Sequence, residues 1–316
     1  GDSVSVTATP AVGWTLSTVS GDCSSVPCTL TINGDKTVTV VFTQLSYALT
    51  TAASPAAGGT VTPASGSVLS GTVVTVTQTP NAGYTFTGWS GDCTGTGACS
   101  VTMDGAKSVT ANYTQNNYSV TTNVTGNGTV TGAGTSYHWG DSVSVTATPA
   151  VGWTLSTVSG DCSSVPCTLT INGDKTVTVV FTQLSYALTT AASPAAGGTV
   201  TPASGSVLSG TVVTVTQTPN AGYTFTGWSG DCTGTGACSV TMDGAKSVTA
   251  NYTQNNYSVT TNVTGNGTVT GAGTSYHWGD SVSVTATPAV GWTLSTVSGD
   301  CSSVPCSLTI NGDKTV

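Results

Sequence analysis

Ten cysteines divide into five close pairs with none left over: Cys23 and Cys28, Cys93 and Cys99, Cys162 and Cys167, Cys232 and Cys238, Cys301 and Cys306. Neighbouring thiols can hold a metal, cycle as a redox couple or close as a disulfide. A structural zinc site wants two CxxC-like pairs or added histidines, and redox catalysis favours CxxC in a βαβ unit. No pair here is CxxC, and each stands with at most one histidine. These spacings therefore favour a disulfide closing a short loop, which in the loop-entropy model stabilises a small domain by about 2 kcal/mol. Such bonds place the protein in an oxidising compartment, extracellular or at the cell surface. No metal, cofactor or catalytic thiol is expected.

The two histidines lie in SYHWGD, as Tyr137, His138, Trp139 and again as Tyr276, His277, Trp278. A Ser-His-Asp constellation can be drawn through His138 and Asp141, but residues this close on one strand point to alternate faces. The chain is read as non-enzymatic. Three aromatic-type residues in succession cannot all face a core, which leaves three readings. Tyr and Trp line one face of a strand with His on the other, or the segment packs between repeats or subunits, or it stacks on a glycan.

The thirteen Asp recur in SGDC, NGDK and MDGAK. Turn aspartates cap backbone NH groups, and no EF-hand spacing offers calcium a converging ligand set. Lys36, Lys107 and their copies follow turns and are expected to be solvated, whereas a Lys-Asn isopeptide bond would need a buried lysine. Asn112, Asn117, Asn123 and Asn127 head N-glycosylation sequons, a permissive signal in a chain so rich in Thr and Ser.

What positions these residues is a repeat. GDSVSVTATPAVGWTLSTVSGDC begins at Gly1, Gly140 and Gly279, and the copies differ only where Ser307 stands in place of Thr29 and Thr168. Within each period YALTTAASPAAGGTVTP from Tyr47 aligns with YSVTTNVTGNGTVTG from Tyr118, so the chain reads A-B-A-B-A in modules of about seventy residues. The modules span residues 1–44 (a partial A module), 45–115 (B), 116–183 (A), 184–254 (B) and 255–316 (an A module lacking its last strand). Each carries a Tyr-led strand, a Gly-rich turn, a GTVT strand and a long alternating run. Each ends in CSVTMDGAKSVTANYTQ or CTLTINGDKTVTVVFTQ, which reads as a hairpin about Asp-Gly or Asn-Gly. Pro80, Pro149, Pro219 and Pro288 each end a TxT run, since proline cannot donate to a ladder. Tyr84, Phe86 and Trp89 of a B module correspond to Trp153, Leu155 and Val158 of an A module.

Composition narrows the function further. Only 6% of the residues are charged, with five Lys, no Arg and a net charge of −8, so phosphate-backbone binding is not expected and nucleic acid is no partner. No apolar run approaches the length of a membrane span. The chain opens inside a strand-like run and is read as a window on a longer precursor. Its two outer modules would expose strand edges unless the chain continues or strands exchange between chains.

These residues carry a resemblance. YALTTAASPAAGGTVTPASG followed by GTVVTVTQTPNAGYTFTGWSGDCTGTGACSVTMDGAKSVTANYTQ resembles the divergent internalin B-repeat family, tandem β-rich modules of bacterial surface and secreted proteins. The A modules depart from it, with Trp153 in place of a Tyr and TLSTVSGDC lacking a Gly-Trp pair. The resemblance implies a β-grasp-like or sandwich-like module used as a spacer or adhesive element, with no catalytic residues to transfer. The fold expected is all-β, an elongated tandem array of small disulfide-stapled modules joined by short, stiff connections. The function expected is a structural stalk or self-associating filament whose partner is another copy of itself. The alternative is a multivalent adhesin that binds glycans.

Overall fold

The computed structural model describes Gly1–Val316. It is all-β: the only helical turns are the 3-10 segments Ala56–Gly58 and Ala195–Gly197. No helix is long and apolar enough to cross a membrane. The chain divides into two compact units. One holds Gly1–Asn123, Val130–Ala147 and Val158–Val179, and the other holds the remaining residues.

The first B module shows the plan. Its larger sheet runs in the order Gly66–Leu69, Ser46–Ser54, Lys107–Gln115, Tyr84–Gly91. The closing strand Lys107–Gln115 lies parallel to the opening strand and antiparallel to Tyr84–Gly91. The smaller sheet is Cys99–Thr102, Val73–Pro80, Gly59–Thr62, all antiparallel. Alternation decides the faces: Leu49, Trp89, Val109, Ala111 and Tyr113 of the larger sheet meet Val76, Cys99 and Val101 of the smaller one in a single core. The outward positions are mostly Thr and Ser, with Leu69 and Val73 exposed among them. No helix lies over the larger sheet; the smaller sheet covers its inner face instead. The second B module repeats every feature, from the sheet orders to a core built on Leu188, Trp228, Val248 and Tyr252.

The hairpin expected at the module's end does not form. Cys99–Thr102 pairs with Val73–Pro80, and Lys107–Gln115 belongs to the other sheet. The Asp-Gly segment is a corner that carries the chain from one sheet to the other, and Gly105 does not adopt the positive φ of a tight hairpin turn. Period-two alternation cannot distinguish the two cases, because both strands face the same core from opposite sides. Met103 fills the corner with no exposed surface, as do Ile171, Met242 and Ile310 in their modules. The four prolines do end strands, at Pro80, Pro149, Pro219 and Pro288.

WTLSTVSG is a strand at Trp14–Gly21, paired antiparallel with Val38–Gln44. In the last module the same eight residues form no strand, where the closing strand is only Lys314–Thr315 and Trp292 is 53% exposed. A β-strand draws its hydrogen bonds from a neighbour, so the same propensity yields a strand only where the partner lies beside it.

The two B modules supply an internal control for the corner. Met103→Ala is expected to destabilise its module by about 2–4 kcal/mol. Hydrogen exchange should quicken at the amides of Val109 and Ala111 while those of Val248 and Ala250 keep their protection. Equal protection in the two copies would show that the corner residue contributes little.

Candidate functional site: staple, clamp and module junction

SGDC assigns a task to each of its last three residues. Gly91 has φ +93° and a Cβ there would stand 2.2 Å from the Ser108 carbonyl oxygen, so only glycine allows the chain so close to the closing strand. Asp92 then grips that strand twice: its NH donates to Ser108 O at 2.8 Å and its Oδ2 accepts from Ser108 N at 2.7 Å. Cys93 bonds to Cys99, joining the end of the larger sheet to the start of the smaller one with Cα atoms 5.7 Å apart. Trp89 lies beneath, donating Nε1–H to Gly97 O at 3.0 Å and so fixing the loop between the two cysteines. The other pairs are joined likewise, Cys23 to Cys28, Cys162 to Cys167, Cys232 to Cys238 and Cys301 to Cys306. The same aspartate clamp recurs from Thr37 N to Asp22, Thr176 N to Asp161, Ser247 N to Asp231 and Thr315 N to Asp300.

The lysines are not the free, solvated groups expected of turn residues. All five are paired with the SGDC aspartate of their own module: Lys36 with Asp22 at 3.1 Å, Lys107 with Asp92 at 3.7 Å, Lys175 with Asp161 at 3.4 Å, Lys246 with Asp231 at 3.7 Å and Lys314 with Asp300 at 3.5 Å. The signal was present in the sequence as one Lys and one SGDC per module, but nothing in their spacing of fourteen or fifteen residues says that they meet. The Thr37 amide and then Lys36 hold the Asp22 carboxyl below its ordinary range. Lys107 lowers Asp104, and Asp104 in return raises Lys107. The Ser119 amide and hydroxyl lower Asp174 in the same way.

The SYHWGD segment is not one strand. Gly134–Tyr137 is the strand, and His138 and Trp139 form the turn that follows. Tyr137 donates its hydroxyl to Gly132 O at 3.2 Å. The Asp141 carboxylate accepts the His138 amide at 2.7 Å, with its Oδ2 3.9 Å from the imidazole Nδ1. Tyr276, His277 and Trp278 repeat this arrangement. No group of three or more His, Cys, Asp or Glu side chains is placed to share a metal ion. Of the sequon asparagines, Asn112 is engaged within the larger sheet, donating to Gly88 O and Ser90 Oγ at 3.0 Å each.

The Trp139 turn meets the preceding module. Gly83 closes a four-residue turn in which Tyr84 N donates to Asn81 O, and its φ of +80° calls for glycine. A Cβ on Gly83 would stand 2.3 Å from Trp139 Cβ, so the base of the Trp side chain sits directly on the glycine. Asn116, between the two modules, donates its NH to Gly83 O at 2.8 Å and accepts the Thr85 hydroxyl at 2.7 Å. The Trp139 indole leans toward the Tyr118 ring, centroids 6.3 Å apart, and keeps 45% of its surface exposed.

The A-to-B boundary uses the same seat with a smaller occupant. Gly13, with φ +82°, stands where Gly83 does, and its Cβ position is 2.3 Å from Ser70 Oγ. Leu45 alone joins the two strands, donating to Gly13 O and accepting from Ser70 N at 2.8 Å each, and Gln44 Nε2 donates to Ser70 O at 2.8 Å. Within the second unit Gly152, Leu184 and Ser209 reproduce the hydrogen-bonded junction, and Gly222, Asn255 and Trp278 reproduce the aromatic one.

A family model described as the divergent InlB B-repeat domain matches five consecutive stretches, residues 1–46, 49–117, 118–185, 188–256 and 257–316. No curated protein matches the chain.

Two of these carboxylates, Asp22 and Asp174, make stability acid-sensitive with a defined sign. Asp22 and Asp174 are lowered from an ordinary value of 3.8 in the folded state, so their contribution is complete above that value and is lost as the pH falls through the lower folded values. Thermal unfolding followed at successively lower pH should show the midpoint falling below about pH 4. In Asp22→Asn with Asp174→Asn this acid slope should flatten, and an unchanged slope would assign acid sensitivity elsewhere.

Proposed function

Because the chain belongs to the divergent InlB B-repeat family, we infer that it serves as the repeat region of a surface or structural protein: a non-enzymatic extracellular stalk whose copies self-associate as a filament. The observation that carries this reading is the junction. Each boundary seats a turn of one module on a positive-φ glycine of the module before it, with one or two residues between their strands. Connections that short, tied by hydrogen bonds, restrict rotation between neighbours.

Copies that are nearly identical every 139 residues present one surface again at each period, and a repeated surface can make the same neighbour contact at every step. A charge content of 6% leaves little repulsion against lateral packing. Five disulfides and no free thiol suit an oxidising exterior. A glycan-binding array is the second reading, favoured by the half-open Trp139 and Trp278 beside Tyr118 and Tyr257. In the stalk reading those rings seat modules on one another. In the adhesin reading their exposed faces stack on sugar, with avidity supplied by repetition.

Two measurements separate these. Cryo-electron microscopy of the native material should show ordered filaments with an axial repeat of one or two modules. Single, unassociated chains that bind on a glycan array would favour the adhesin. For the junction itself, Gly83→Val should raise flexibility in small-angle scattering, since its side chain would collide with Trp139. Gly71→Val is the control, because Gly71 also has positive φ, +78°, but no atom lies within 4 Å of its Cβ position. Equal effects from both variants would reduce the junction to simple backbone strain.

A further inference from the structure

We propose that the Asn-Gly turns of the A modules are self-modifying sites, at which asparagine converts to aspartate with release of ammonia, and that at Asn311 the neighbouring Lys314 assists. The geometry is clearest at Asn311. This residue and Gly312 lie outside any strand, between Cys306–Thr309 and Lys314–Thr315. The Lys314 ammonium donates to Asn311 Oδ1 at 2.5 Å. A cation on that oxygen draws density from the carboxamide carbon and stabilises the oxyanion formed when a nucleophile adds.

The nucleophile is the backbone nitrogen of Gly312, already tethered next to its target. It loses its proton to solvent, its bond to Asn311 Cγ forms, the side-chain nitrogen takes up a proton from solvent, its bond to Cγ breaks, and ammonia leaves. One water then opens the five-membered imide to aspartate or isoaspartate. The balance is asparagine plus water giving aspartate plus ammonia, with no oxidant or reductant. Ring closure needs the glycine backbone to rotate, and nothing lies within 4 Å of the Cβ position at Gly34, Gly173 or Gly312.

The B modules already contain the product. TMDGAK aligns with TINGDK without a gap, which places Asp104 where Asn311 stands and Lys107 where Lys314 stands. Asp104 pairs with Lys107 at 2.8 Å and Asp243 with Lys246 at 2.7 Å. A carboxylate in this turn is therefore accommodated by the fold and met by a cation. Conversion would give each A module the ion pair its B neighbour encodes.

The same chain also contains Asn-Gly pairs that should not react. Gly128 opens the strand Gly128–Val130, and its Cβ position is 2.5 Å from the Phe181 ring. A Cβ on Gly267 would stand 2.9 Å from the Thr287 carbonyl oxygen. The carbonyls of Asn127 and Asn266 accept the amides of Ala150 and Ala289. With the backbone held on both sides, the imide ring cannot close.

The experiment ages the full chain at mildly alkaline pH and maps all five Asn-Gly sites by mass spectrometry, with a urea-unfolded sample beside it. Asn33, Asn172 and Asn311 should convert in the folded protein while Asn127 and Asn266 persist, and all five should convert when unfolded. Lys314→Met should slow Asn311 by about tenfold, the scale of a lost charge-assisted hydrogen bond, and leave Asn33 and Asn172 at their original rates. Conversion of Asn127 or Asn266 at the rate of Asn311, an Asn311 that stays intact in the folded chain, or a Lys314→Met rate equal to the parent would each overturn the proposal. So would a lasting ammonia loss that links the Asn311 and Lys314 peptides.

Discussion

The closing strand is the partner on which each module depends. In the B modules it lies at the centre of the larger sheet, hydrogen-bonded on both sides, and places three buried side chains in the core. The SGDC segment grips its first residues, and its tyrosine reaches across to the other sheet. Tyr113 lies so close to Gly58 and Gly59 that a Cβ on either would fall 2.6 Å from it, while its hydroxyl donates to Thr60 O. Tyr113 thus calls for glycine at position 58 of SPAAGGTVT, and Tyr113 together with the Thr79 carbonyl oxygen calls for it at position 59. Burial raises the Tyr113 phenol above its ordinary value, so the contribution of this contact is complete below that value and is lost at more alkaline pH.

From that strand the staple, clamp and ion pair follow as one device. A module of seventy residues buries too little apolar surface to be generously stable, and its core rests on few large side chains, Leu49, Trp89, Met103 and Tyr113 with the partly buried Tyr47, Tyr84 and Phe86. The disulfide limits the unfolded chain, the aspartate satisfies the first amides of the closing strand, and the lysine neutralises that aspartate. Each is modest at an exposed site. Together they act at the point where the two sheets would otherwise part.

The junctions extend the same economy between modules. A positive-φ glycine leaves a flat seat, and the next module lays either Ser or Trp upon it. With Ser70 the boundary is closed by hydrogen bonds through Leu45, and with Trp139 by the bulk of an indole beside Tyr118. The alternation of A and B is therefore also an alternation of two kinds of joint. The half-exposed indole leaves the second kind with a surface still available for contact.

Much of this was legible in the residues. Strand character followed from β-branched alternation, module number from the 139-residue identity, strand ends from proline and the cysteine partners from their isolation in pairs. Three matters were not legible, for a common reason. Whether CSVT and KSVTANYTQ pair with each other or with other strands, whether Lys107 meets Asp92, and whether Trp139 lies on a strand or against another module all concern neighbours distant in the chain. Periodicity reports which face of a segment is buried and not what buries it, because an apolar side chain gains the same free energy against any apolar partner.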